Sequence, residues 1–190
     1  MPLPLQGGTW EASTNVKREE QRGNRWCWAA CVAMVLKAFG NPKRQCTIAK
    51  AVCEVPCNLE EVIMDGCDEG YEVDKIKALW EKHGVLAKPH LGAVGWDVIE
   101  QELKPKKDKG EPSRPVEIFL GIGDAGSKDG HLVLIVGAEM TASGKRAVSI
   151  ADPVSINSGL APADFDLLEA HLQYGKWSRT WTNLFWKKGS

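Results

Sequence analysis

The stretch from Arg25 to Gly40, RWCWAACVAMVLKAFG, reads as one helix with an oddity in its first turn. Apolar residues at 28, 29, 32, 33, 35, 36 and 39 recur at helical spacing. Asn24 is a candidate N-cap, and Gly40-Asn41-Pro42 stops the helix. Cys27 sits at the start, between Trp26 and Trp28. A helix N-terminus carries about half a positive charge, which stabilises a thiolate. Cys27 therefore reads either as a nucleophile or as a core cysteine, and the rest of the chain has to decide.

Working outward, the chain changes texture. Thr47–Cys53, Asn58–Ile63, Asp74–His83 and Trp96–Leu103 read as further helices, the last stopped before Pro105. Pro115–Ile122 then reads as a strand, followed by the polar turn GDAGSKDG. His131–Ala138, HLVLIVGA, is nearly all apolar, as a strand buried on both faces should be. Arg146–Ala151 is the next strand, Ala163–Leu172 a helix, and Lys176–Trp186 a last alternating strand. Helices first and strands second means α+β, with a groove where the halves meet. Residues 1–20 read as a flexible arm and 21–190 as a single domain. The helical half spans about 21–110 and the mostly antiparallel sheet half about 111–190.

A chain of 190 residues can bury a substantial core. Its formal net charge of -1 gives no bulk bias toward nucleic acid or anionic membrane. The basic run Lys104–Lys109 is broken by Pro105 and Asp108, and reads as a solvated loop. No apolar run approaches the roughly 20 residues that span a bilayer. The N-terminus lacks a basic region followed by a hydrophobic stretch, so no secretory signal is read there. That leaves a cytoplasmic chain, one exported by a leaderless route, or a trimmed form.

A cysteine nucleophile needs a base, a group that orients the base, and donors for an oxyanion. The chain has four histidines. His83, His90 and His171 read as surface or cap residues. His131 opens the most hydrophobic strand and points toward the expected groove. If strands 131–138 and 146–151 pair as a hairpin, Asp152 comes near His131 and can hold its tautomer. The plainer reading is that Asp152-Pro153 only makes a turn. Gln21 lies six residues before Cys27, where its side-chain amide and the Cys27 N–H can form an oxyanion hole.

Gln21-x5-Cys27 within Trp-Cys-Trp-Ala-Ala, then Gly130-His131 opening a Val/Leu/Ile strand with Gly137, then Ala151-Asp152-Pro153, resembles the papain-like cysteine proteases. It looks most like bacterial members, the secreted effector proteases and the peptidases that remove bacteriocin leaders. The resemblance spans about residues 20–155. It implies a papain-like α+β fold and a cysteine endopeptidase needing no cofactor or metal. By similarity Cys27 is the nucleophile, His131 the base, Asp152 the orienting residue and Gln21 the oxyanion donor. Trp26, Trp28 and Gly130 become candidate substrate-binding residues. The expected partner is a protein or peptide substrate, not nucleic acid or membrane. Many relatives carry a small residue where this chain has Trp26, which narrows the approach to the thiol. Other acyl transfers on the same groups, such as deamidation, isopeptide cleavage or peptidoglycan amide hydrolysis, remain open, as does an inactive peptide-binding module.

Cys31, one turn after Cys27, reads as a buried free thiol. Cys46, Cys53, Cys57 and Cys67 allow three disulfide pairings. Structural zinc is the rival, although the spacing lacks paired C-x2-C knuckles. The arm holds Leu3-Pro4-Leu5-Gln6-Gly7-Gly8-Thr9-Trp10. Glycine lets a backbone lie flat between bulky walls, and the segment resembles sites that effector relatives cut in themselves. Self-processing next to Gly7 or Gly8 is the expectation, against a plain disordered arm.

Overall fold

The computed structural model describes residues 8–50, 52, 70–106, 110–123, 129–154 and 162–186. Its organising strand is the apolar run that opens with His131. This strand, β4 (Gly130–Thr141), is buried from His131 through Glu139. Side chains along a strand alternate between faces. Leu132, Leu134 and Val136 join one core cluster, and Val133 and Ile135 the other. Both faces are covered, which is why the run shows almost no polar alternation.

β3 (Val116–Gly121) pairs with β4 over residues 130–135. Beyond that, β1 (Gly8–Ser13) takes over the same edge, with Ser13 opposite Gly137 and Gly8 opposite Thr141. β5 (Arg146–Ala151) pairs along the other edge and carries β6 (Ala163–Asp164) beyond it. β7 (Lys176–Trp186) lies between β3 and β2 (Val85–Leu91). Among the described residues these seven strands make one antiparallel sheet, ordered β2-β7-β3-β4-β5-β6 with β1 on β4.

α1 (Cys27–Ala38) crosses one face of the sheet, and every residue from Trp28 to Leu36 is buried. A helix apolar on all sides belongs inside the core. α2 (Gln45–Lys50) and α3 (Ile76–Lys82) flank it in the same cluster, through Ile48 and Ala49 and through Ile76, Leu79 and Trp80. The second cluster covers the opposite face with Ile99 and Leu103 of α4 (Trp96–Leu103) and Leu168 of α5 (Leu168–Leu172). Each fully buried aliphatic side chain contributes roughly 1.5–3 kcal/mol, so the layer that α1 shares with Leu132, Leu134 and Val136 holds the helix firmly against β4.

The α+β expectation holds, with differences in detail. The arm is not loose from residue 8 onward. β3 covers only the first half of one β4 edge, and β1 supplies partners for the peptide groups that would otherwise be left there. The expected helical half contains β2, whose Pro89 suits an edge strand because no ladder donor is needed there. Helices also lie on both faces, rather than in a half of their own. Ala163–Leu172 is a two-residue strand, a tight turn over Phe165–Leu167 and the short α5, not a single helix. α1 begins at Cys27 with Trp26, not Asn24, at its N-cap, and no side chain caps it. Gly40 ends it in the left-handed region at φ 80°. The expected helix Asn58–Ile63 lies outside the described residues. No helix among the described residues is long and apolar enough to cross a membrane.

Candidate active site

Three elements meet at one end of the sheet. The first turn of α1 brings Cys27, the start of β4 brings His131, and the residue after β5 brings Asp152. The β4–β5 hairpin sets Leu134 opposite Ala151. Asp152 therefore falls diagonally across from His131, within reach of a side chain. Nε2 of His131 hydrogen-bonds Oδ1 of Asp152 at 2.7 Å. The Cys27 side chain lines the same cleft and acts on the same imidazole, raising its pKa. With Nε2 engaged by the carboxylate, Nδ1 is the nitrogen left for the thiol.

The electrostatics follow from these contacts. Burial alone pulls His131 down, because it penalises the charged ring. Asp152 and Cys27 outweigh it and raise the imidazole to about 9. Burial pushes Asp152 up, but His131, the Val154 N–H and the Tyr174 hydroxyl together hold it below the ordinary carboxylate range. Oδ1 accepts from the Val154 N–H at 2.9 Å, and Oδ2 accepts from the Tyr174 hydroxyl at 2.9 Å. The backbone around Asp152 is tied to the segment before α1. Arg18 Nε donates to the Asp152 carbonyl at 2.6 Å, and the Gln21 N–H to the Pro153 carbonyl at 3.0 Å.

Cys27 and His131 open into a cleft of about 200 Å³. Trp28, Tyr71 and Phe119 give it aromatic walls, and Arg25, Glu72 and Asp129 give it a charged rim. Arg25 Nη2 reaches Asp129 Oδ1 across the mouth at 3.4 Å.

The other candidates fall out unevenly. Gln21 lines the cleft, but its amide N–H groups donate to the carbonyls of Gly23 at 2.8 Å and Asn24 at 2.6 Å. Its buried Oε1 has no hydrogen-bond partner. Turning the amide over would aim an oxygen at two carbonyls, so this orientation is the sensible one. Gln21 holds the turn that feeds α1 and does not present a free donor to the cleft. Trp28 is a cleft wall, with its ring centroid 5.1 Å from that of Tyr71. Trp26 is a buried core residue outside the cleft lining. Gly130 lines the cleft for a packing reason, since a Cβ there would lie 2.3 Å from the Leu120 carbonyl oxygen and 2.5 Å from the Phe119 ring.

His83 and His90 do not line the cleft. Burial, with Lys43 and Lys82 nearby, lowers His83 to about 4. His90 bonds Thr182 Oγ1 at 2.8 Å, and the side chain of His171 lies outside the described residues. Cys31 is a free thiol whose Sγ lies 3.6 Å from the Leu132 carbonyl oxygen, and burial pushes it well above the ordinary thiol range. Cys46 carries a disulfide rather than a thiol, and Cys53, Cys57 and Cys67 lie outside the described residues. Among the described residues no group of three His, Cys, Asp or Glu side chains could hold a metal.

Tyr71, Arg25, Asp129 and Tyr174 were not foreseen. Tyr71 and Tyr174 stand in irregular segments, where periodicity gives no signal. Two tyrosines in the whole chain, both at this site, are the one hint that composition held.

No protein-family model and no curated protein matches the sequence. Solved structures do match the fold. A protein described as a C39-like peptidase from Bacillus anthracis is 16% identical, with TM-score 0.58, over 94% of this chain and 100% of that one. The peptidase domain of Streptococcus ComA, a bifunctional ABC transporter involved in a quorum-sensing pathway, is 12% identical, with TM-score 0.54, over 87% and 96%. A double glycine motif protease from an AMS/PCAT transporter, in complex with its leader peptide, is 17% identical, with TM-score 0.53, over 94% and 97%. The fold is thus the papain-like α+β fold of these peptidase domains.

Proposed function

We propose that the protein is a cysteine peptidase that cuts peptides through Cys27, His131 and Asp152. The observation that carries this reading is the His131–Asp152 hydrogen bond beside Cys27, with Cys27 and His131 opening into one cleft. Cys27 attacks the peptide carbonyl as a thiolate while His131 holds the proton. The tetrahedral oxyanion takes the Cys27 N–H, and Gln21 serves only if it releases Gly23 or Asn24. His131 gives its proton to the leaving amine as the C–N bond breaks. Water, deprotonated by His131, then hydrolyses the thioester. Asp152 keeps the imidazole in the productive tautomer.

The cleft is small and flanked by Gly70 and Gly130, which favours an extended peptide with small residues at the cut. The similar fold of a protease named for a double glycine motif supports the same preference. Gly7-Gly8 in this chain's own arm is a substrate of that kind. It lies beyond reach in its own molecule. Gly8 pairs with Thr141, and ten residues of β4 at about 3.3 Å each put it roughly 33 Å from His131. Processing there runs from one copy to another. Cys46, Cys53, Cys57 and Cys67 are proposed to form two disulfides, one of them through Cys46.

The test is a peptide panel with glycine or bulky residues at the cut, alongside glutamine and modifier substrates, run with wild type and Cys27→Ala. Cleavage of glycine peptides by wild type alone supports the reading. Deamidation or isopeptide cleavage without peptide cleavage replaces it with another acyl transfer. No turnover of any substrate by folded wild type replaces it with a binding module.

A further inference from the structure

α5 ends at Leu172, and the chain then makes an unusual turn. Gln173 is left-handed at φ 58°, and Gly175 lies at φ 142°. A Cβ on Gly175 would stand 2.0 Å from the Gly121 carbonyl oxygen, so the turn is pressed against the end of β3 where only glycine fits. Between these two residues Tyr174 is thrown across the site. Its hydroxyl donates to Asp152 Oδ2 at 2.9 Å, while Oδ1 serves His131 and the Val154 N–H. Its ring centroid lies 4.3 Å from that of His131, tilted by 50°.

We infer that Tyr174 is a positioning residue, whose hydroxyl fixes the Asp152 carboxylate on His131 and whose ring shields that hydrogen bond from water. The inference rests on the peptidase reading for its catalytic meaning, but not for its geometry. A carboxylate gripped at one oxygen only can rotate away from the imidazole. Gripped at both, it keeps the short bond to Nε2. Among the described residues, three charged or titratable groups face this pair besides Tyr174: Cys27 and Cys31 on α1 and Arg18 on the segment before it. Burial and the carboxylate push the Tyr174 hydroxyl up, so it remains a donor wherever Asp152 is charged.

The test is Tyr174→Phe, which keeps the ring, beside Tyr174→Ala, which does not. The His131 imidazole resonances are titrated by NMR in all three proteins, with far-UV circular dichroism to confirm folding. Loss of positioning lowers the His131 midpoint in Tyr174→Phe by half a pH unit or more, and further in Tyr174→Ala. A midpoint that stays or rises in Tyr174→Phe overturns the inference, because a hydroxyl that merely drained charge from Asp152 would on removal strengthen the carboxylate's pull. With a peptide substrate, kcat of Tyr174→Phe falls about tenfold at unchanged KM. The two readings fail separately. A lowered midpoint without peptide turnover in wild type keeps the positioning role and removes the peptidase. Turnover with an unmoved midpoint does the reverse.

Discussion

His131 and Asp152 meet although the sheet does not place them opposite each other. The hairpin register pairs Leu134 with Ala151, and the 2.7 Å hydrogen bond runs diagonally over the end of the ladder. The contact thus depends on a side chain reaching past its neighbour, and on Asp152 being held from behind. Asp152→Asn keeps the shape and an acceptor oxygen but removes the charge that stabilises an imidazolium. General acid–base catalysis is worth about 10²–10⁴-fold, and kcat should fall by at least about 100-fold with folding intact. Activity within tenfold of wild type would mean that the carboxylate charge is unimportant.

The pH profile follows from the same bond. His131 is raised from 6.5 to about 9, and its charged form is the one that protonates the leaving amine. Peptide cleavage should therefore persist above neutral pH and fall as pH rises through about 9. The stability contribution has the same sign: the folded value lies above the unfolded one, so the contribution is complete below about 6.5 and lost as pH rises through about 9. Asp152, held low, keeps its contribution until pH drops below the ordinary carboxylate range. An activity limb near 6.5 in kcat/KM would contradict this account.

Much of this was legible in the sequence, and the exceptions have physical causes. α4, β5 and β7 match their expected ends, because apolar period and stop signals agree there. Cys27, His131 and Asp152 stand out as candidates because each lies where an element begins or ends, and the structure brings the three to one place. β1 was missed because a six-residue strand has no partner signal of its own; the bare edge of β4 decides it. Gly130, expected as a substrate contact, does line the cleft, and the Leu120 carbonyl and the Phe119 ring leave no room for a side chain there, a packing constraint that only the structure shows. Gln21 was placed by its spacing from Cys27 and by resemblance, and only the structure shows both its amide hydrogens engaged.

The packing account of Gly130 can be tested directly. Gly130→Ala forces the added methyl against backbone and ring at the first residue of β4, one residue before His131. Overpacking of this kind destabilises by about 1–3 kcal/mol. The expected result is a lowered Tm together with lost activity. A variant of unchanged Tm and raised KM would mean that Gly130 matters as a substrate contact rather than for packing.

Glu117 is an acid with no exposed surface, set on β3 beneath α1. Its Oε2 accepts from the Trp80 indole N–H at 2.7 Å, and its Oε1 is unpartnered. Burial raises it from 4.5 to about 8 despite the indole, which lowers it. The folded state then binds a proton that the unfolded state has lost. Stability should fall as pH rises from about 4.5 to about 8, by up to roughly 1.4 kcal/mol per unit. Glu117→Gln removes the proton uptake, so its stability should vary less over that window and exceed wild type at pH 8. Urea unfolding at several pH values measures both. A wild-type curve no steeper than that of Glu117→Gln would mean the carboxyl ionises freely.

Processing at Gly7-Gly8 must be intermolecular if β1 stays on β4. The segment between β1 and α1 is not free to bring the arm round, because Thr14 bonds the Val136 carbonyl at 2.8 Å and Gln21 bonds that of Pro153 at 3.0 Å. Peeling off β1 would expose the half-edge of β4 that β3 leaves uncovered. The initial rate of N-terminal truncation, followed by intact mass, should therefore rise with the square of protein concentration. Active enzyme should also trim a Cys27→Ala chain added to it. A fractional rate independent of concentration would show that the arm detaches and enters its own cleft.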